Sequence, residues 1–313
     1  MSTRPFDWRD LPALHRYRKD CVYLNSAWLL TRGRLSLPSA LISSLSPASG
    51  VFTSISIPDD RNQLPLIGQV MQLPVSHLAQ LTFLMPERAI HNSTLNPLLE
   101  YLSAQLIEHG VLRILADIDE NAAAYESLRN AGYAVYCRQR VWEMKDGNIP
   151  NGKQTPWQMA DDQDFLNVHS LYHNIVPPLV QQVEPFPSNQ TIGMVYKANG
   201  EVMGYVEPNY GHSGIWLQPL IHPDLENLHE VLSELIRALP YRFSRPVFIC
   251  VRSYQSWLEP VLEDLGAEAG PRQAVMVKHL AIQKRALRTL AIPALEGGQA
   301  EISAPFAHSE NRH

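Results

Sequence analysis

Two histidines, His169 and His173, lie four residues apart in a stretch with helical periodicity, the spacing at which two imidazoles share one metal ion. A zinc-protease arrangement would place a Glu directly after the first of them, and Ser170 stands there instead. No third ligand is indicated, so the pair reads as surface or capping histidines and no metal site is expected. His77, His91, His212 and His222 fall at strand ends and in loops, and nothing in the sequence selects one as a base. Cys137 sits inside a strand pattern and reads as a packing residue rather than a nucleophile. Tyr125, on a short helix, reads by itself as a half-buried tyrosine filling space beside a sheet. The Gly-x-Ser-x-Gly elbow, the Walker loop and the G-x-G-x-x-G fingerprint do not occur, which removes the chemistries those loops support.

The elements around Tyr125 are the most legible of the chain. From Ala116 to Met144 the sequence predicts a strand end, a short helix, a glycine turn and a long strand. Ala124, Leu128 and Ala131 recur at helical spacing on one face, and Gly132 stands where the helix must stop with positive φ. Tyr133–Met144 then alternates and is rich in Tyr, Val and Trp, as strands are.

A related stretch runs from Ile249 to His279. An offset of 134 carries Leu128 to Leu262, Gly132 to Gly266, Arg138 to Arg272, Gln139 to Gln273 and Val141 to Val275. Other segments repeat in the same order. Asp7, Asp10 and His15 match Asp161, Asp164 and His169 at 154; Gly68 matches Gly204 at 136; Leu98, Glu100, Leu102 and Ser103 match Leu228, Glu230, Leu232 and Ser233 at 130. Small loop insertions and deletions account for the drift, and the chain reads as internally duplicated. Arg138 and Arg272, each followed by Gln, are its best-matched polar positions, and a cross-strand pair or a contact between halves is the expected role.

Each half follows one order: strand, helical region, three antiparallel strands, helix, strand, helix, strand. The antiparallel strands are expected at Val51–Ile57, Leu66–Leu73 and Ala79–Met85, then at Thr191–Lys197, Glu201–Pro208 and Ile215–Ile221, with Asn199-Gly200 turning a hairpin. Asn96-Pro97 is expected to cap the first long helix and start its first turn. The expected organisation is a domain over 1–144, a linker over 145–156, a second domain over 157–280 and a short helix with a disordered tail over 281–313.

Hydrophobic residues make up 45% of the 313 positions and charged ones 18%, ample for globular cores. A net charge of −5 without a basic block argues against nucleic acid as a partner, and Lys284, Arg285 and Arg288 do not outweigh it. No apolar run reaches the roughly 18 residues needed to cross a bilayer, and the polar start lacks a secretory h-region, so no membrane partner and a cytoplasmic location are expected. The three cysteines have no close spacing, which fits a reducing compartment. Nothing in the sequence sets an oligomeric state.

The order of elements, together with Asn121, Ala124, Tyr125, Leu128, Gly132 and Tyr133, resembles the GNAT acetyltransferase superfamily. The likeness covers about Thr3–Met144 and, more weakly, Thr155–Leu280. It implies an α/β fold, an α+β mixed sheet in two tandem GNAT-like acyl-CoA N-acyltransferase domains, each splayed open between middle strands where acetyl-CoA enters. Tyr125 would then protonate the departing CoA thiolate, a transfer that a phenol manages when held within hydrogen-bond reach. Asn121 would contact the pantetheine arm or fix the adjacent strand, backbone N–H groups of Phe83, Leu84 and Met85 would hold acyl oxygen and pantetheine, and Arg88 would hold phosphate. An amine, from a small molecule or a peptide, would attack the thioester directly.

The sequence departs from that pattern at the pyrophosphate loop. Pro86–Pro97 and Pro219–Asn227 contain no glycine, and Asp224 and Glu226 in the second would repel an anion. The second half also has Gln255 and Glu259 in place of Asn121 and Tyr125, so it reads as non-catalytic. Two functions follow as expectations. One is an acetyl-CoA-dependent N-acyltransferase acting through the first half; the alternative is a scaffold or small-ligand-binding or protein-binding protein that has lost CoA chemistry. The segments expected to choose an acceptor, Leu24–Ser49 and Asn174–Gln190, carry no readable charge pattern.

Overall fold

A computed structural model describes residues 2–33, 50–60, 62–73, 76–144, 156–186, 192–240 and 245–280. The expected linker, apart from Pro156, and the basic segment around Lys284 lie outside these residues. The first half runs β1 (Ser2–Pro5), α1 (Leu11–Tyr17), β2 (Val22–Tyr23), α2 (Ser26–Arg32), β3 (Val51–Ile57), β4 (Leu66–Gln72), β5 (Leu78–Met85), α3 (Asn92–Glu108), β6 (Arg113–Asp119), α4 (Ala124–Asn130) and β7 (Ala134–Met144). The second runs β8 (Trp157–Met159), α5 (Phe165–Ile175), α6 (Pro178–Val183), β9 (Met194–Ala198), β10 (Glu201–Val206), β11 (Asn209–Tyr210), β12 (Ile215–Leu217), β13 (Leu220–Ile221), α7 (Leu228–Ala238), β14 (Val247–Arg252), α8 (Leu258–Asp264) and β15 (Glu268–His279). No helix among the described residues is long and apolar enough to cross a membrane.

Predicted turns fall where backbone chemistry demands them. Gly132 and Gly266 close their helices with φ of 91° and 77°, and Asn199-Gly200 turns the hairpin with both φ positive. Asp10 and Asp164 repeat one device: each takes the backbone N–H of the Asp three residues before it, Asp7 or Asp161. Each is then fixed by a cation, Arg4 in the first half and Lys197 in the second. One boundary differs from expectation. α3 begins at Asn92, not after Asn96, and carries Pro97 inside it. Thr94 Oγ1 accepts from the His91 N–H at 3.2 Å and starts the helix a turn early.

The halves do not complete separate sheets. The larger sheet runs β1-β3-β4-β5-β6-β15-β7-β14-β12-β11, so the last strand of each half lies in the sheet of the other. β15 is inserted antiparallel between β6 and β7, and β7 between β15 and β14. At the centre of this exchange Gln139 pairs with Gln273 in register, and the Gln139 Nε2 donates to the Gln273 Oε1 at 2.9 Å. The matched Arg-Gln positions therefore sit at the seam, although it is the glutamines that meet; Arg138 turns away to Glu120 at 2.8 Å. A second sheet, β13-β10-β9-β8, belongs to the second half.

Leucines of α3 and α4 pack on β4–β6 in one core, and α7 and α8 build the corresponding one. A third core joins the halves, placing Val168, Leu171 and Val180 of α5 and α6 against Cys137, Val275 and Val277.

Gly68 and Gly204, matched in the sequence, both sit under a packed side chain. A Cβ on Gly204 would lie 2.9 Å from Trp157 Cη2, and that indole is pinned by its Nε1–H to the Val231 carbonyl at 3.0 Å. On Gly68 it would meet only the methyl ends of Leu84 and Leu98. Gly204→Ala should therefore cost about 1–3 kcal/mol in urea unfolding, and Gly68→Ala less, because leucine ends re-rotamer and a tethered indole does not.

Candidate functional site

In the first half β5 and β6 pair in parallel over Leu78–Gln80 and then separate. The opening is filled by the chain itself. β2 pairs antiparallel with β5, Val22 opposite Leu84 and Tyr23 opposite Phe83. The Leu24 N–H donates to the Thr82 carbonyl at 2.9 Å, and the Leu24 carbonyl accepts from the Asp117 N–H of β6 at 3.0 Å. Residues 22–24 thus bridge the two strands at the point where they part.

Buried side chains hold that bridge. Asp117 takes the Ser26 N–H at 2.6 Å and the Gln80 amide at 2.9 Å, while Gln80 also donates to the Leu24 carbonyl at 2.9 Å. Ser26 Oγ donates to Gln273 Oε1 at 3.1 Å, which ties the bridge to the glutamine seam. Asn25 caps α2 through the Trp28 N–H at 2.9 Å. Burial raises the Asp117 pKa above its usual value, and the hydrogen bonds from Ser26 oppose that only in part.

The residues expected to bind and react line no common depression among those described. Phe83, Leu84 and Met85 are 0% exposed, and β4 pairs one edge of them while β2 takes the other. Arg88 is held by Asp20 at 3.1 Å and lies against Tyr17, in a depression of about 510 Å³ that also contains Glu87. Asn121 is exposed in a turn, its own N–H donating to Asp119 Oδ1 at 2.9 Å. Tyr125 lines a separate depression with Tyr133 and Arg138, and its ring lies 5.9 Å from the Arg129 guanidinium. His169 and His173 do meet, Nε2 to Nε2 at 3.1 Å, and the His173 Nδ1 is 2.7 Å from the Gln181 Oε1. No group of three metal-ligating side chains is found among the described residues.

The second half is closed at the same place by different means. β12 pairs in parallel with β14 up to Leu217 opposite Ile249, and the chain then crosses to β10 as β13. The predicted strand Ile215–Ile221 is broken there. Gln255, fully buried, fills the gap: its Oε1 accepts from the Ile221 N–H and its Nε2 donates to the Pro219 carbonyl, both at 2.9 Å. Glu259 is turned to Arg140 at 3.1 Å.

Beside this plug lies a cavity of about 570 Å³ framed by α5, α6, β10 and β12. Glu184 lies in its wall and is held by the buried Arg252, whose Nη2 donates to both carboxylate oxygens at 3.0 and 3.1 Å; the Tyr136 hydroxyl donates to it as well. The sequence reading missed this group. Arg252 ends an apolar strand and Glu184 follows a short helix, with no spacing that links them.

No family model and no curated protein matches the sequence. Among solved structures, a GCN5-related N-acetyltransferase from Sphaerobacter thermophilus is 12% identical with a TM-score of 0.53, over 89% of this chain and 95% of that one. The fold is that of the GCN5-related N-acetyltransferases. Two further similar structures are a tandem GNAT protein from the clavulanic acid biosynthesis pathway (14% identity, TM-score 0.49, 90% of this chain and 98% of that one) and a putative acetyltransferase from Pyrococcus horikoshii (12%, 0.47, 90% and 90%).

Asp117 supplies a test of the bridge. Its raised folded-state pKa means that the folded state binds the proton more tightly than the unfolded chain, so stability falls as pH rises from about 4 toward the raised value. Asp117→Asn removes that slope. The unfolding free energy of the variant minus that of the unsubstituted protein should increase from about pH 4 to 7; a flat difference would show that Asp117 does not titrate in this window.

Proposed function

We propose that this chain is a ligand-binding protein built on a tandem acetyltransferase fold, without acyl-CoA chemistry at its first-half opening. The seat of β2 carries this reading. A pantetheine arm and β2 are alternative partners for one edge of β5, and each backbone N–H or C=O there can be satisfied by only one of them. β2 is tethered on both sides by α1 and α2, and a short tether competes at an effective concentration in about the millimolar range. The phosphate end offers little in exchange: its loop lacks glycine, and Arg88 is already paired with Asp20.

The acyltransferase reading requires Tyr125 at the same site as the β5 edge, with acetyl-CoA between them and a small-molecule or peptide amine as acceptor. Tyr125 faces a different depression, and Phe83–Met85 are sealed, which supports binding over transfer. In the second half the Gln255 amide takes the strand groups at the equivalent place, and the adjoining cavity is left as the candidate ligand site.

Calorimetric titration with acetyl-CoA decides between the two. The folded protein should give no saturable heat up to about 1 mM ligand, a limit corresponding to roughly −4 kcal/mol. Saturable binding in the micromolar range, with acetyl transfer to an amine that Tyr125→Phe slows, would overturn the proposal in favour of the acyltransferase.

A further inference from the structure

We infer that the second-half cavity takes a quaternary ammonium compound. The inference rests on the binding reading above and names the ligand class for that site.

Six aromatic side chains line it: Tyr172, Phe186, Tyr205, Tyr210, Trp216 and Tyr254. Phe186 lies against two of the others, with ring centroids 5.2 Å from Tyr172 and 6.1 Å from Tyr205. Ring faces carry negative quadrupole density and attract cations. No Lys or Arg lines the cavity among the described residues, whereas Glu184 and Glu207 both do. The wall therefore favours positive charge.

The hydrogen-bonding state of the wall then narrows the kind of cation. The Glu184 carboxylate already accepts from Arg252 Nη2 on both oxygens and from the Tyr136 hydroxyl, so most of its lone pairs are filled and its charge is balanced. The Tyr172 hydroxyl donates to the Glu184 backbone carbonyl, and the Tyr205 hydroxyl to the Ile192 carbonyl at 3.2 Å. Glu207, at the rim, has no ion-pair partner among the described residues and supplies the uncompensated charge.

A primary ammonium would give up three hydrogen bonds to water in order to lie against ring faces, and ring faces do not replace them. An anion would meet Glu207 and the ring faces. A quaternary nitrogen has charge and apolar methyl groups and needs no directional partner, which is what aromatic faces with one rim carboxylate can provide. Such a nitrogen also has neither an N–H nor a lone pair. It cannot accept an acyl group, so its binding here is consistent with a half whose opening is plugged.

The test is calorimetry on the full-length chain with choline, with its neutral isostere 3,3-dimethylbutan-1-ol and with ethanolamine. Choline should bind at least about tenfold more tightly than either, the difference expected of a desolvated cation over several rings. Glu207→Gln, a rim change that leaves the core intact, should weaken choline about threefold or more without weakening the neutral isostere. Tyr254→Leu, with circular dichroism to verify folding, should weaken choline in the same way. The inference is overturned if choline gives no saturable heat up to about 10 mM, or if the isostere or ethanolamine binds as well. That failure would leave the acetyl-CoA result untouched, because the latter reads the first-half opening; acetyl-CoA binding would in turn overturn the binding reading without altering the choline comparison.

Discussion

The exchange of β7 and β15 is the constraint on which the other features depend. Because each half receives its last strand from the other, the larger sheet is continuous and its two sets of layers share one core through Cys137, Val275 and Val277. The Gln139–Gln273 pair marks the register of that exchange. A slip of one residue would turn the apolar face of the strand out of the core, and the buried Gln139 amide would lose its partner. From the seam the polar contacts spread to both openings: through Ser26 and Asp117 to the β2 bridge, and along β14 to Arg252 and Glu184.

The two openings show one geometric problem solved twice. Parallel strands that separate leave backbone groups unpaired, and buried groups of that kind must find partners. The first half supplies a strand segment and the second an amide side chain. In each case the partner comes from the protein itself, and the open space of the second half lies to one side, in the cavity next to Gln255.

Much of the fold was legible because local chemistry carried it. The φ of Gly132, Gly200 and Gly266, the hairpin at Asn199 and the leucine stripes of α3 and α7 all follow from periodicity and steric rules that act over a few residues. The break between β12 and β13 was not legible, since Ile215–Ile221 reads as one apolar run and only the tertiary split of the sheets interrupts it. The site was harder still. Val22-Tyr23 is too short to show a strand period, and its partner lies some sixty residues away, so the sequence left the Phe83–Met85 edge looking free when it is covered. Glu184 and Arg252 meet across 68 positions, and no spacing rule links them.

The strand exchange also bears on how the protein is made. β6 and β7 belong to the first 144 residues, but the strand that lies between them is not synthesised until residues 268–279. Until that segment leaves the ribosome, the facing edges of both strands lack the partner they have in the folded protein, and unpaired edges invite pairing with other molecules. A product released before Glu268 would never gain that partner, so the last strand is the closing piece of a sheet whose flanking strands were made more than a hundred residues earlier.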